Sequence, residues 1–193
     1  MPTRVVVNQT EVRSEMRIGR LLLRLVVGGL FVGHGTQKLF GWFGGQGLDV
    51  TAQGFEQLGL RPGRHNAIAA GGAEAGGGAL LAVGLATPLA AAVLIATMLT
   101  AIHRVHGKNG PWLTNGGYEY NLVLIAAALA LVEVGPGGLS LDGARGRERS
   151  GPGWALAALA AGVLGAVGSH AAAAAHPEPP AAAREAGADS SGE

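Results

Sequence analysis

Long apolar runs, separated by short segments rich in glycine, proline and charge, dominate this chain. The first run, Ile18 to about Phe40, exceeds the roughly 20 residues that an α-helix needs to cross a hydrocarbon core. A second runs from about Asn66 to Ala86. A third starts at Thr87–Pro88, a favourable N-cap and N1 pair, and ends near Val105. Almost nothing joins these two, so they must form an antiparallel hairpin. The fourth, Tyr118 to Val134, is stopped by Gly135–Pro136–Gly137. A fifth candidate, Trp154 to about Ala175, is mostly Ala and Gly; its insertion is weakly driven, and an interfacial position is the alternative. Between the first two runs, turn signals surround a short segment, Asp49 to Leu58, readable as an interfacial helix N-capped by Asp49 or as an ordinary loop.

The pattern predicts an all-α integral membrane protein: an antiparallel four-helix bundle over 17–143 with a fifth C-terminal transmembrane helix at 154–175. A short polar arm (1–16), a basic linker (144–153) and a disordered Pro- and Ala-rich tail (176–193) complete the chain. A cleaved signal peptide is disfavoured, because Arg24 interrupts the first run and no A-x-A site follows. Two G-x-x-x-G pairs, Gly29/Gly33 and Gly72/Gly76, read as packing surfaces for neighbouring helices or for a second copy in a homo-oligomer.

Composition narrows the chemistry. Only 14% of the 193 residues are charged, against about a quarter in soluble domains. The net charge of +1 offers no field to recruit nucleic acid. The absence of cysteine excludes thiolate catalysis, Fe–S ligation and covalent haem attachment. Positive charge sets orientation. With the N-terminus cytoplasmic, Arg4, Arg13, Arg17, Arg20, Arg145, Arg147 and Arg149 lie inside, against Arg61, Arg64, Arg104 and Lys108 outside. The aromatics Phe40, Trp42, Phe43, Phe55, Trp112, Tyr118 and Tyr120 then crowd the outer side.

The intramembrane polar residues carry the functional signal. At about 100° per residue, Arg20, Arg24, Phe31, His34 and Lys38 share one helical sector of roughly 80°. A charged residue at mid-bilayer costs about 2.5–3.5 kcal/mol, so this stripe should face the bundle or a cavity. Glu74 lies about eight residues, roughly 12 Å, from the outer end of the second span. Gly71 and Gly78 share its face and leave room beside it. Its carboxylate must be protonated or paired with a cation, His34 or Lys38 being the natural partner; a purely structural ion pair is the plainer alternative. The alternating helix order brings His103 and His106 and the start of the fourth span, Glu119 and Asn121, to the same end. No Glu-x-x-His pair exists, no metal site is expected, and no nucleotide-binding glycine motif occurs.

The run His34-Gly35-Thr36-Gln37-Lys38-Leu39-Phe40-Gly41-Trp42-Phe43-Gly44-Gly45 resembles the signature of the DoxX family. Gly72-Ala73-Glu74, Gly84-Leu85-Ala86-Thr87-Pro88-Leu89-Ala90-Ala91 and Gly116-Gly117-Tyr118-Glu119-Tyr120-Asn121-Leu122 extend the resemblance over about residues 17–143. It implies a four-helix membrane protein related to the DoxD subunit of thiosulfate:quinone oxidoreductase, with a quinone-linked role or a redox-enzyme partner. On that basis the expected site is a polar quinone pocket in the outer half of the bundle. His34, Lys38 and Glu74 are its catalytic candidates, and His103, Glu119 and Asn121 add to the binding set, with no covalently bound cofactor. A non-catalytic scaffold at the cell membrane and a small-solute or proton carrier are the competing expectations.

Overall fold

A computed structural model describes residues 9–176, with side-chain surroundings from Ile18 onward. The described residues are helical, without strands, in the order α1 (Gln9–Phe40), α2 (Gly47–Gln57), α3 (Gly63–Val83), α4 (Thr87–Ala101), α5 (Glu119–Val134), α6 (Leu141–Ala144) and α7 (Pro152–Ala174). α1 begins inside the segment expected to be a loose arm; residues 1–8 and the tail from 177 lie outside the described residues. Among the described residues, three stretches are long and apolar enough to cross a membrane: Ile18–Phe40, Thr87–Asn109 and Pro152–Ala174. The four-plus-one expectation is therefore met only in part. α3 is long enough, at 21 residues, but is diluted by glycines and by Arg64, His65, Asn66 and Glu74, while α5 has only 16 residues.

α1 packs chiefly on α3, and α4 on α7, with α5 closing the bundle against α4. Phe31, Leu81, Leu94, Ile95, Leu131 and Val132 form its fully buried centre. The α1–α3 contact does not use the two G-x-x-x-G pairs, whose glycines face open space. Seven-residue pairs make it instead: Gly28 and Gly35 on α1 meet Gly78 and Gly71 on α3. A methyl added to Gly28 or Gly35 would strike the opposing backbone, and one added to Gly71 would strike Leu39. Gly71 and Gly78 thus give close approach to α1 rather than free space beside Glu74.

The α3–α4 hairpin turns within Gly84-Leu85-Ala86, with Gly84 and Ala86 left-handed at φ 65° and 48°. The start of α4 is not capped by its own Thr87. The carboxylate of buried Asp142, from α6, accepts from Thr87 N at 3.2 Å and Thr87 Oγ1 at 3.4 Å. This is an N-cap supplied from a distant loop. The same loop is held by α1. Arg24 is fully buried and donates to Pro136 O at 2.5 Å and Leu139 O at 2.7 Å, while Arg20 donates to Val134 O at 3.0 Å. These guanidinium groups satisfy one carbonyl at the end of α5 and two in the loop that follows it, none of which has a helical partner. We call this the closed end of the bundle.

Candidate functional site

At the opposite end the helices enclose a cavity of about 610 Å³, lined mainly by apolar atoms. Its most polar wall is an ion pair: Lys38 Nζ lies 2.5 Å from Glu74 Oε2. The two residues lie one helical turn from Gly35 and Gly71, respectively, so the close glycine contact between α1 and α3 sets the distance between them. The Glu74 side chain is 7% exposed and that of Lys38 27%. A carboxylate so deeply placed needs such a partner to stay ionised, and of the two expected partners Lys38 is the one that meets it.

His34 lines the cavity but is exposed and pairs with Gln37 Oε1 at 3.2 Å, one turn along its own helix. Asn121 is buried on another wall, its amide donating to Met98 Sδ at 3.3 Å. Two residues of the expected set lie elsewhere. Glu119 turns back into the loop before α5 and accepts from Leu113 N at 2.6 Å. It serves as a local cap, as a carboxylate in a first helical turn readily does. His103 is exposed and packs beside His170 of α7 with the two rings tilted by 59° and centroids 4.4 Å apart. The cause is a π-turn over Ile102–His106 at the end of α4, which rotates the side chains away from the simple α-helical spacing.

That π-turn places Arg104 and His106 in the cavity lining, neither of which belonged to the expected set. Arg104 is half-buried and donates through Nε to His170 Nδ1 at 3.1 Å and through Nη1 to Leu58 O at 3.2 Å. It therefore ties the end of α2 to α7. Phe55, Leu58 and Leu60 roof the cavity, and Gly165 and Ser169 of α7 close one side. The basic content at the end of the third apolar run signalled Arg104. Nothing in the local pattern signalled Ser169 or His170, because which helix faces which is not encoded in periodicity. Among the described residues no group of three or more His, Asp or Glu could hold a metal.

Apolar helices of membrane-crossing length around a cavity with a buried ion pair define the class: an α-helical membrane protein. Residues 19–107 match the DoxX family. The chain is also 36% identical over 118 residues to a Bacillus subtilis (strain 168) protein named "Putative oxidoreductase CatD", covering 61% of this chain and 81% of the relative. It belongs to the DoxX family. No solved structure matches it. The matched family residues include Lys38, Glu74 and Arg104 and stop short of α5 and α7.

Proposed function

We propose that this protein is a quinone-linked subunit of a redox system in the cell membrane, with a cytoplasmic N-terminus and α3 and α5 crossing alongside the three more apolar helices. The observation that carries the reading is the Lys38–Glu74 pair on the wall of an otherwise apolar cavity. The oxidoreductase name of the relative points the same way. A cavity of about 610 Å³ is within the usual range for small-molecule sites, and its donor set suits a carbonyl-bearing ring with an apolar tail. A bound quinone supplies the two-electron, two-proton acceptor that no side chain here provides, the electrons coming from a donor outside the chain.

The chain's own part is to hold and deliver protons. Lys38 Nζ keeps donors beyond the one given to Glu74 Oε2 and turns one toward the cavity. The Glu74 carboxylate takes up a proton and passes it on, its pairing with Lys38 giving way while it is protonated. Asn121 Nδ2 holds only a weak sulfur acceptor, so it can turn to a better one at little cost. The apolar lining excludes water and keeps these contacts strong.

The test is binding of a short-chain quinone analogue to protein purified in mild detergent, monitored by quenching of tryptophan fluorescence. Saturable binding is expected, weakened about tenfold by Glu74→Gln through loss of one charge-assisted contact. Wild-type protein that binds no more analogue than empty micelles do overturns the reading.

A second reading has its own observation. Trp42, Phe43 and Trp112 are 57%, 76% and 63% exposed at the cavity end, and such a surface suits the docking of a redox-enzyme partner. A partner recovered from mild detergent, lost on changing this loop and indifferent to Glu74→Gln, favours that scaffold role.

A further inference from the structure

The cavity holds an unbalanced charge. Its lining has six titratable side chains: His34, Lys38, Glu74, Arg104, His106 and Tyr120, the phenol being neutral in its ordinary range. Lys38 and Glu74 neutralise each other across 2.5 Å. Arg104 has no such counterpart. Its hydrogen bonds go to a neutral ring nitrogen of His170 and a main-chain carbonyl, and among the described residues it forms no ion pair. The hydrogen bond from Arg104 Nε also requires His170 Nδ1 to be the unprotonated nitrogen, so the neighbouring ring adds no negative charge.

Arg104 is also held in place. The π-turn at Ile102–His106 and its bonds to α2 and α7 fix the guanidinium at the cavity wall rather than leaving it free to extend into water. Five N–H donors in a planar fork match an oxyanion, and two bonds leave donors to spare. A fixed, uncompensated cation beside an apolar cavity favours a ligand with a negative head and an apolar body.

We propose that this cavity binds an anionic amphiphile, its oxyanion head on Arg104 and its apolar body along Val93, Met98 and Leu124. The head is the carboxylate of a free long-chain acid or the phosphate of an anionic lipid, which share this chemistry. The inference uses the cavity of the proposed quinone site and does not rest on redox activity.

The probe is cis-parinaric acid, a fluorescent long-chain carboxylate, titrated into the full-length protein in nonionic detergent beside its neutral methyl ester. The carboxylate should bind about tenfold more tightly than the ester. Arg104→Gln should abolish that ratio. Arg104→Lys, which keeps the charge and gives up the forked geometry, should retain most of it; this variant and the wild-type ratio decide the matter even if Arg104→Gln fails to fold. Displacement by oleate but not phosphatidylglycerol identifies a free acid as the source, and the reverse pattern identifies lipid. Equal binding of acid and ester to wild type, or a ratio that survives Arg104→Gln, overturns the proposal. The neutral quinone analogue is scored separately, so either idea can fail alone.

Discussion

The two ends of the bundle use an arginine in opposite ways. At the closed end, fully buried Arg24 reaches across to the loop behind α5 and donates to two of its carbonyls. At the cavity end, Arg104 makes two similar neutral bonds, yet a cavity of about 610 Å³ adjoins it. One arginine completes the backbone hydrogen bonding of a folded loop. The other holds two helices around a chamber and keeps donors free. A charge within the bundle therefore does not by itself make a candidate site; open space next to the charge does.

The largest expected effect tests the closed end. Arg24→Ala leaves Pro136 O and Leu139 O without their donors in a buried loop, at a cost of about 3 kcal/mol or more. Relief of the buried charge, whose Nε finds no partner, offsets part of this. A clear fall in melting temperature in detergent is expected. Should the variant melt with wild type, Arg24 is not a structural staple and the contrast between the ends collapses.

Asp142→Ala is a smaller probe of the same end. It removes the acceptor for Thr87 N, and loss of an N-cap typically costs about 1 kcal/mol, up to 2. Asp142→Asn keeps an oxygen in place and should lose less than half as much. The expected order by thermal denaturation is wild type, then Asn, then Ala. Equal losses would mean that the charge of Asp142 matters and the cap does not.

How much of this was legible in the sequence follows from what periodicity can encode. A 3.6-residue period reports which residues of one helix share a face. Lys38 could thus be placed in the polar sector of the first helix with His34, and Glu74 on the face of Gly71 and Gly78, with either His34 or Lys38 as its partner. The alternating order of the apolar runs then brought the ends that carry Lys38 and Glu74 to one side. Periodicity does not report how far one helix is turned against the next. Hence Gly29 and Gly33, the conspicuous spacing, point outward, whereas Gly28 and Gly35 make the contact. Nor does it report irregular backbone. His103 left the cavity lining because the five residues that follow α4 adopt a π-turn, and Glu119 left it because a nearby loop N–H needed an acceptor. Contacts across long loops, such as Arg24 with Leu139 and Arg104 with His170, have no local signal at all.

The smallest prediction has the opposite sign and belongs to the cavity end. Phe43 sits in the left-handed region, at φ 53° and ψ 36°, between Trp42 and Gly44, with its ring 76% exposed. For a residue with a Cβ this conformation costs about 1–2 kcal/mol. Glycine removes that cost but gives back roughly 0.5–1 kcal/mol through the greater freedom of the unfolded chain. Phe43→Gly should therefore be neutral or stabilise the protein by up to about 1 kcal/mol in detergent, whereas Arg24→Ala and Asp142→Ala destabilise it. If the variant is instead clearly less stable, the Phe43 ring contributes more to the fold than its exposure indicates. The cavity end would then matter to stability as much as the closed end does. A gain accompanied by weaker association with bilayers or with a partner would locate the reason for the strained aromatic in what that surface touches.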